Sequence, residues 1–330
     1  MKSFAVPAAF AASLLFGAAE EKAPPPSAGH DLVWHDELQL VLLVNAGLGG
    51  ERGPVRVGDK TKLWGFDGKK WRVVDDAGPP VRNLGGVAYD SDRKKLVLHG
   101  GGFDLDHSYS DTWEWDAKVT DGKQVGKGTW KKFEGKGPGV RDHSRMVYDP
   151  VRKLTVLFGG QLDLQHFPRD VWLFDGKEWK REDPAGGPGP RVHHAMAFDP
   201  DRKGIVVAAG YEPGAADRAD AWLLDAKGWH AQPALKEPRT HARMEFDPGV
   251  GLVLVGGMAA SDPVVTLGKS GWTPLEAPPE LARRYLCALA YDADREVLVL
   301  FGGGNPAGSD LFADTWENDG KAWRKVGVEH

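Results

Sequence analysis

The sequence predicts an all-β protein made of six copies of one four-stranded antiparallel unit, and three recurrent features carry that prediction. An aromatic residue followed by aspartate recurs as Tyr89-Asp90, Tyr148-Asp149, Phe198-Asp199, Phe246-Asp247 and Tyr291-Asp292, with a weaker version at His35-Asp36. A small pair follows each of them: Ala46-Gly47, Gly100-Gly101, Gly159-Gly160, Ala209-Gly210, Gly256-Gly257 and Gly302-Gly303. Tryptophans seven apart come next, as Trp64/Trp71, Trp172/Trp179, Trp222/Trp229 and Trp316/Trp323. Repeat 2 stretches this pair to Trp113/Trp130 across a Gly/Lys-rich insert, and repeat 5 keeps Trp272 but has Val265 as the first member. The aspartates are 54, 59, 50, 48 and 45 residues apart, so the period is that of a repeat architecture.

Repeat 3 shows the unit most clearly, between Arg141 and Trp179. Two β-type runs meet at the Tyr148-Asp149-Pro150 turn, and the second ends in Gly159-Gly160. Proline presets its backbone angle, and aspartate accepts hydrogen bonds from the turn amides. The Gly pair ends the second strand where a side chain would obstruct another backbone. Val171 to Phe174 is a third run, and Asp175-Gly176 turns it into a fourth around Trp179. A single such sheet leaves both faces exposed, so it must stack on its copies.

The doubled glycine with spaced aromatics resembles the kelch repeat, across residues 30–326. That resemblance implies a six-bladed β-propeller with four antiparallel strands per blade. The expected blades are 30–74, 82–133, 141–181, 191–230, 239–273 and 284–326. Tryptophans of the outer strands would fill the widening wedge between blades, where large apolar area is needed. A closed ring leaves only short edges exposed.

Residues 1–19 have one lysine, an apolar run and a small-residue end at Gly17-Ala18-Ala19, the pattern of a secretory signal peptide. Residues 20–29 form a polar, proline-rich linker. The expectation is a secreted or periplasmic monomer without a membrane span, because the apolar run is short and interrupted. Cys287 is the single cysteine, which leaves no internal disulfide and no N-terminal lipidation site. A net charge of −5 offers no basic surplus for phosphates, so nucleic acid is not an expected partner. No phosphate-binding glycine loop, nucleophile elbow or paired-cysteine metal site is present, and no cofactor is expected.

Candidate functional residues therefore come from the loops. Arg82, Arg141, Arg191, Arg239 and Arg284 each stand eight residues before a turn aspartate. His30, His143, His193 and His241 stand six before it, with Leu84 and Leu286 in the remaining repeats. As ligands, these arginines and His143, His193 and His241 would ring the channel mouth and take an anion, since guanidinium holds carboxylates bidentately. As structure, each arginine would pair with the aspartate two residues before the first tryptophan, namely Asp111, Asp170, Asp220 or Asp314. Co-occurrence of the two residues favours pairing. Repeat 5 breaks it, with Pro263 at the aspartate position and Asp262 beside it, which makes Arg239 the least committed of the five.

Asp104 and His107 share their offsets from Trp113 with Asp163 and His166 before Trp172. Such a pair of loops suits a metal by residue type but matches no metal motif, and an aspartate bonding its own loop backbone explains it better. His193 and His194 are adjacent in sequence and so point to opposite sides of a strand.

The leading functional expectation is a binding scaffold that recognises a protein or an acidic glycan on its loop face. Kelch-like propellers of bacterial periplasms also include N-acetylneuraminate epimerases. That resemblance implies a sugar-modifying enzyme as the alternative, with Glu212 as the candidate proton-transfer residue. A structural protein of the cell envelope is the third reading.

Overall fold

The computed structural model describes residues 23–45, 58–102, 107–120, 123–258, 260–282, 284–305 and 310–326. Six four-stranded antiparallel sheets follow one another along the chain, spanning 31–75, 86–132, 145–182, 195–232, 243–274 and 288–326. They are the six blades, and the innermost strand of each comes first in sequence. Those innermost strands are Asp31–His35, Gly86–Asp90, Arg145–Asp149, Ala195–Asp199, Arg243–Asp247 and Ala288–Asp292. Each contacts the next in order, and Ala288–Asp292 returns to Asp31–His35, which closes the ring. The protein is a six-bladed β-propeller. Short hairpins interrupt the second blade (Val119–Thr120 with Lys123–Gln124) and the fourth (Tyr211–Glu212 with Ala216–Asp217).

Apolar burial lies between blades rather than within them. Among the described residues, six buried clusters occur, one at each junction between neighbouring sheets. At the junction of blades 2 and 3, Trp179 stacks on Phe174 with ring centroids 4.8 Å apart. Its indole N–H reaches Thr112 Oγ1 of blade 2 at 3.0 Å. Trp71 repeats this at the junction of blades 1 and 6, stacking on Phe66 and donating to Thr315 Oγ1 at 2.9 Å. The wedge-filling tryptophan thus carries a polar group that must be satisfied in the wedge, and a buried threonine supplies the acceptor.

Among the described residues no strand is exchanged to seal the ring, since blade 1 and blade 6 each consist of four consecutive strands. Closure uses the contacts of any other junction. Trp71, Phe66 and Leu43 of blade 1 cluster with Phe301, Val299 and Ala290 of blade 6. Ser27 O accepts from Gly303 N at 2.7 Å, as Arg141 O accepts from Gly101 N at 2.7 Å between blades 2 and 3.

Blade 1 sits one residue away from the register expected of it. Its innermost strand places Trp34 and His35, not His35 and Asp36, where other blades have the aromatic-aspartate pair. His35 Nδ1 accepts from Leu38 N at 3.4 Å, much as Asp90 Oδ1 accepts from Arg93 N at 3.0 Å. A histidine can stand in because the turn requires an acceptor, not a charge.

Thr315→Val keeps the shape at the seam but removes the acceptor for Trp71. It is expected to cost about 1–3 kcal/mol in urea unfolding, with an unchanged m-value.

Candidate functional site

Two faces flank the channel. The mouth face carries the loops that enter each innermost strand and those joining second to third strands. The opposite turn face carries the short reversals after the first and third strands.

At the mouth, Gly29, Leu84, His143, His193, His241 and Leu286 occupy one equivalent position, all left-handed, with φ between 52° and 76°. Side-chain-bearing residues adopt this conformation at a cost, and here a run of main-chain bonds accompanies it. Leu84 N donates to Gly29 O (2.9 Å), Gly29 N to Leu286 O (3.0 Å), Leu286 N to His241 O (3.0 Å) and His241 N to His193 O (2.9 Å). The position expected for His30 is therefore held by Gly29. His30 is buried instead, with Nε2 3.0 Å from Phe301 O, and burial lowers its pKa to about 3.

His143, His193 and His241 form one row, with centroids 4.3 Å apart for the first pair and 3.6 Å for the stacked second pair. Burial, then the neighbouring imidazoles, hold His193 well below the usual histidine range. Burial lowers His241 to about 4, with His143 adding to the effect. Those two rings are neutral at pH 7 and offer hydrogen bonds rather than charge. His194 precedes the strand Ala195–Asp199 and is buried against Phe158 of blade 3 at 5.3 Å between centroids, away from the His193 row.

The five repeated arginines are buried within their own blades. Arg82 pairs with Asp111 at 2.5 Å, Arg141 with Asp170 at 2.7 Å, Arg191 with Asp220 at 2.9 Å and Arg284 with Asp314 at 2.6 Å. The same aspartates accept the indole N–H of Trp113, Trp172, Trp222 and Trp316. Arginine, aspartate and tryptophan are thus one hydrogen-bonded bracket that ties the loop before the first strand to the start of the third. Blade 5 lacks the aspartate and the tryptophan together. Arg239 remains buried there, and its Nη1 donates to Gly256 O and to the backbone carbonyl of Asp262, at 3.3 and 3.2 Å.

Asp163 accepts from Gln165 N and His166 N at 2.8 and 2.9 Å, and from the His166 ring at 2.8 Å, so it organises its own loop. Asp104 lies outside the described residues, and His107 is exposed. Among the described residues, no group of three or more His, Cys, Asp or Glu is placed to hold a metal. Glu212 accepts from Arg218 Nε at 2.7 Å and from Arg218 Nη2. As a base it would first have to leave that guanidinium.

The mouth face also holds a groove of about 540 Å³ between the blade 2 and blade 3 loops, lined by Ser108, Val140, Asp142, Gln161, Leu162 and Leu164 among others. Leu162 and Leu164 are 41% and 68% exposed.

A second cavity, about 290 Å³, lies inside the channel and was not anticipated. The innermost strands begin with Asp31, Gly86, Arg145, Ala195, Arg243 and Ala288. Charged residues in blades 1, 3 and 5 thus alternate with small ones in blades 2, 4 and 6. Two residues on, Val33, Ala88, Val147, Ala197, Glu245 and Ala290 repeat the alternation of larger and smaller. Arg145 Nη1 and Arg243 Nη2 converge on Asp31 Oδ1 at 3.0 and 3.4 Å. Glu245 Oε1 accepts from Phe246 N at 3.0 Å. Burial pushes Glu245 from its ordinary 4.5 up to about 7, and Asp31 up to about 6 with Arg243 opposing the shift. The readable signal was the departure of Arg145 and Arg243 from the small residues at the same repeat position.

Arg141→Ala leaves Asp170 buried with its main cationic partner gone and is expected to cost about 3–5 kcal/mol in denaturant unfolding. Arg239→Ala, which strands no carboxylate, should cost less than half as much. Because Glu245 is raised, its native state retains a proton that the unfolded chain has lost between pH 4.5 and 7, so this residue lowers stability as pH rises through that window. Glu245→Gln should therefore gain roughly 2–3 kcal/mol on the wild type between pH 5 and pH 8; a gap independent of pH would contradict the assignment.

No family model and no curated protein matches this chain. Among solved structures, the chain is similar to one described as "Structure of YjhT", with a TM-score of 0.67 and 13% identity. That similarity covers 93% of this chain and 99% of the other. At such identity the likeness speaks for the fold, and together with the ring of sheets it establishes this chain as a β-propeller.

Proposed function

We propose that the protein is a secreted, non-enzymatic binding scaffold that holds a protein partner on its mouth face. The observation that carries this reading is the groove beside Leu162 and Leu164. Two leucines exposed side by side, bordered by the Gln161 and Gln165 amides, offer apolar area with polar groups to orient a polypeptide. The loop that presents them is already held in shape by Asp163, so little ordering entropy is lost on binding.

Asp142 and Asp163 border the groove, which favours a neutral or basic segment over an acidic one. An acidic glycan fits this face less well, because Arg82, Arg141, Arg191 and Arg284 are committed to carboxylates of their own blades.

The test is affinity capture from cell-envelope extract with the wild-type chain and with a Leu162→Asp, Leu164→Asp double variant of unchanged melting temperature. A specific polypeptide retained by the wild type should be lost at least tenfold by the variant, while sialic and uronic acids leave the wild-type melting temperature unchanged. Equal retention by both chains would remove the groove from consideration, and an acidic sugar that raises the melting temperature would restore the glycan reading.

A further inference from the structure

The junctions between blades share a backbone geometry but differ in chemistry. Second strands end in Val44, His99, Phe158, Ala208, Val255 and Phe301. The residues just before the innermost strands are His30, Gly85, Ser144, His194, Ala242 and Cys287. Phenylalanine meets histidine at two junctions, blade 3 with blade 4 and blade 6 with blade 1, which lie opposite each other in the ring. The two pairs are near-copies. The His194 ring stands 5.3 Å from Phe158 and His30 stands 5.4 Å from Phe301, both at 73° between planes. Each phenylalanine also meets the wedge tryptophan of the following blade, Phe158 with Trp229 at 5.3 Å and Phe301 with Trp71 at 5.2 Å.

Neither imidazole is equipped to carry a charge. Both are fully buried. Phe301 O can only accept, so His30 keeps its proton on Nε2, and its buried Nδ1 has no partner among the described residues. Both ring nitrogens of His194 are buried without a partner there, and the neighbouring Arg191 O already accepts from Gly160 N at 3.0 Å. The charges acting on the rings are cations. Arg243 donates from Nη2 to His30 O at 2.9 Å, while Arg191 acts on His194 and Arg145 Nε donates to His194 O at 3.4 Å. The flanking carboxylates are engaged: Asp31 by Arg145 and Arg243, Asp220 by Arg191, Asp170 by Arg141 and Asp314 by Arg284. Burial is the main cause that lowers both histidines to about 3.

Other histidines at or near the channel are better provided for. His99, between blades 2 and 3, has Thr112 Oγ1 2.8 Å from Nδ1 and Gly139 O 3.1 Å from Nε2, so a second proton finds an acceptor. His35, between blades 1 and 2, has Asp36 and Asp116 acting on it to favour its charged form. His193 and His241 belong to the mouth row, outside the junctions.

We propose that acid opens this ring at two opposite junctions, parting blades 1–3 from blades 4–6, because a proton on His30 or His194 has no acceptor until its junction separates. The chain between blades 3 and 4 keeps the halves tethered, and the opening uncovers the channel layer of Asp31, Arg145 and Arg243. Above pH 6.5 both histidines are neutral whether a junction is closed or open. Below it, the open junction takes up a proton that the closed one refuses until about pH 3, so closure weakens as pH falls through that window. At pH 5 an exposed histidine of ordinary pKa, about 6.5, is protonated about thirty to one, which makes each opening roughly thirtyfold more populated.

The experiment is residue-resolved amide hydrogen exchange on the full chain at pH 7 and pH 5, corrected for the intrinsic rate. The N–H groups of Gly101, Gly160, Gly210, Gly257 and Gly303 make the same bond at five junctions and report each one separately. Gly160 and Gly303 are expected to lose protection at least tenfold on acidification, and the other three less than threefold. His194→Leu, which has no ring nitrogen to protonate, should restore Gly160 at pH 5. His30→Gln, which keeps a donor for Phe301 O, should restore Gly303. Should one variant fail to fold, the other decides together with the wild-type pattern. Loss spread evenly over all five junctions, loss at only one of the two or at neither, or undiminished loss in a folded variant would each overturn the proposal.

Discussion

Everything in this ring hangs on a main-chain hydrogen bond between neighbouring blades, made by the second residue of the five small pairs among the described residues; Ala46-Gly47 lies outside them. Gly101, Gly160, Gly210, Gly257 and Gly303 donate to the carbonyls of Arg141, Arg191, Arg239, Arg284 and Ser27 in the following blade, at 2.7–3.0 Å. The approach is close enough that a Cβ on Gly100 would stand 2.2 Å from Arg141 O, and one on Gly256 2.1 Å from Arg284 O. Once that carbonyl is fixed, the arginine backbone is fixed with it, and its side chain can only turn back into its own blade. There it finds the aspartate and the tryptophan. The glycine pair and the bracket are two halves of one joint.

This joint explains why much of the fold was legible in the chain. Glycine pairs, turn aspartates and tryptophans repeat because each solves the same geometric problem at every junction, so their order in sequence mirrors their order in space. Where a blade solves it otherwise, the pattern misleads. Blade 1 uses Ser27, Gly29 and His35 at the arginine, histidine and aspartate positions, and its identity comes from backbone register, which residue types alone do not reveal. The channel layer was missed for a different reason. Arg145 and Arg243 matter through their departure from the repeat, and a search for what recurs passes over what does not.

Blade 5 shows how the bracket fails as a unit. With Pro263 in place of the aspartate, a tryptophan two residues later would have no acceptor for its indole N–H, and Val265 stands there. Its turn also departs, with Gly251 left-handed where blades 2, 3 and 4 have Lys94, Lys153 and Lys203. Arg239 persists because two backbone carbonyls can satisfy it, although its Nε finds no partner. A buried arginine without a carboxylate is tolerable when main-chain dipoles replace the ion pair.

The seam between first and last blades has a mechanical meaning. Among the described residues, parting blades 1 and 6 separates side chains and a few isolated main-chain bonds, and breaks no strand ladder. The ring is a clasp rather than a weld. Tension applied to both chain ends would act directly across that clasp and peel away whole blades as units, starting from either terminus.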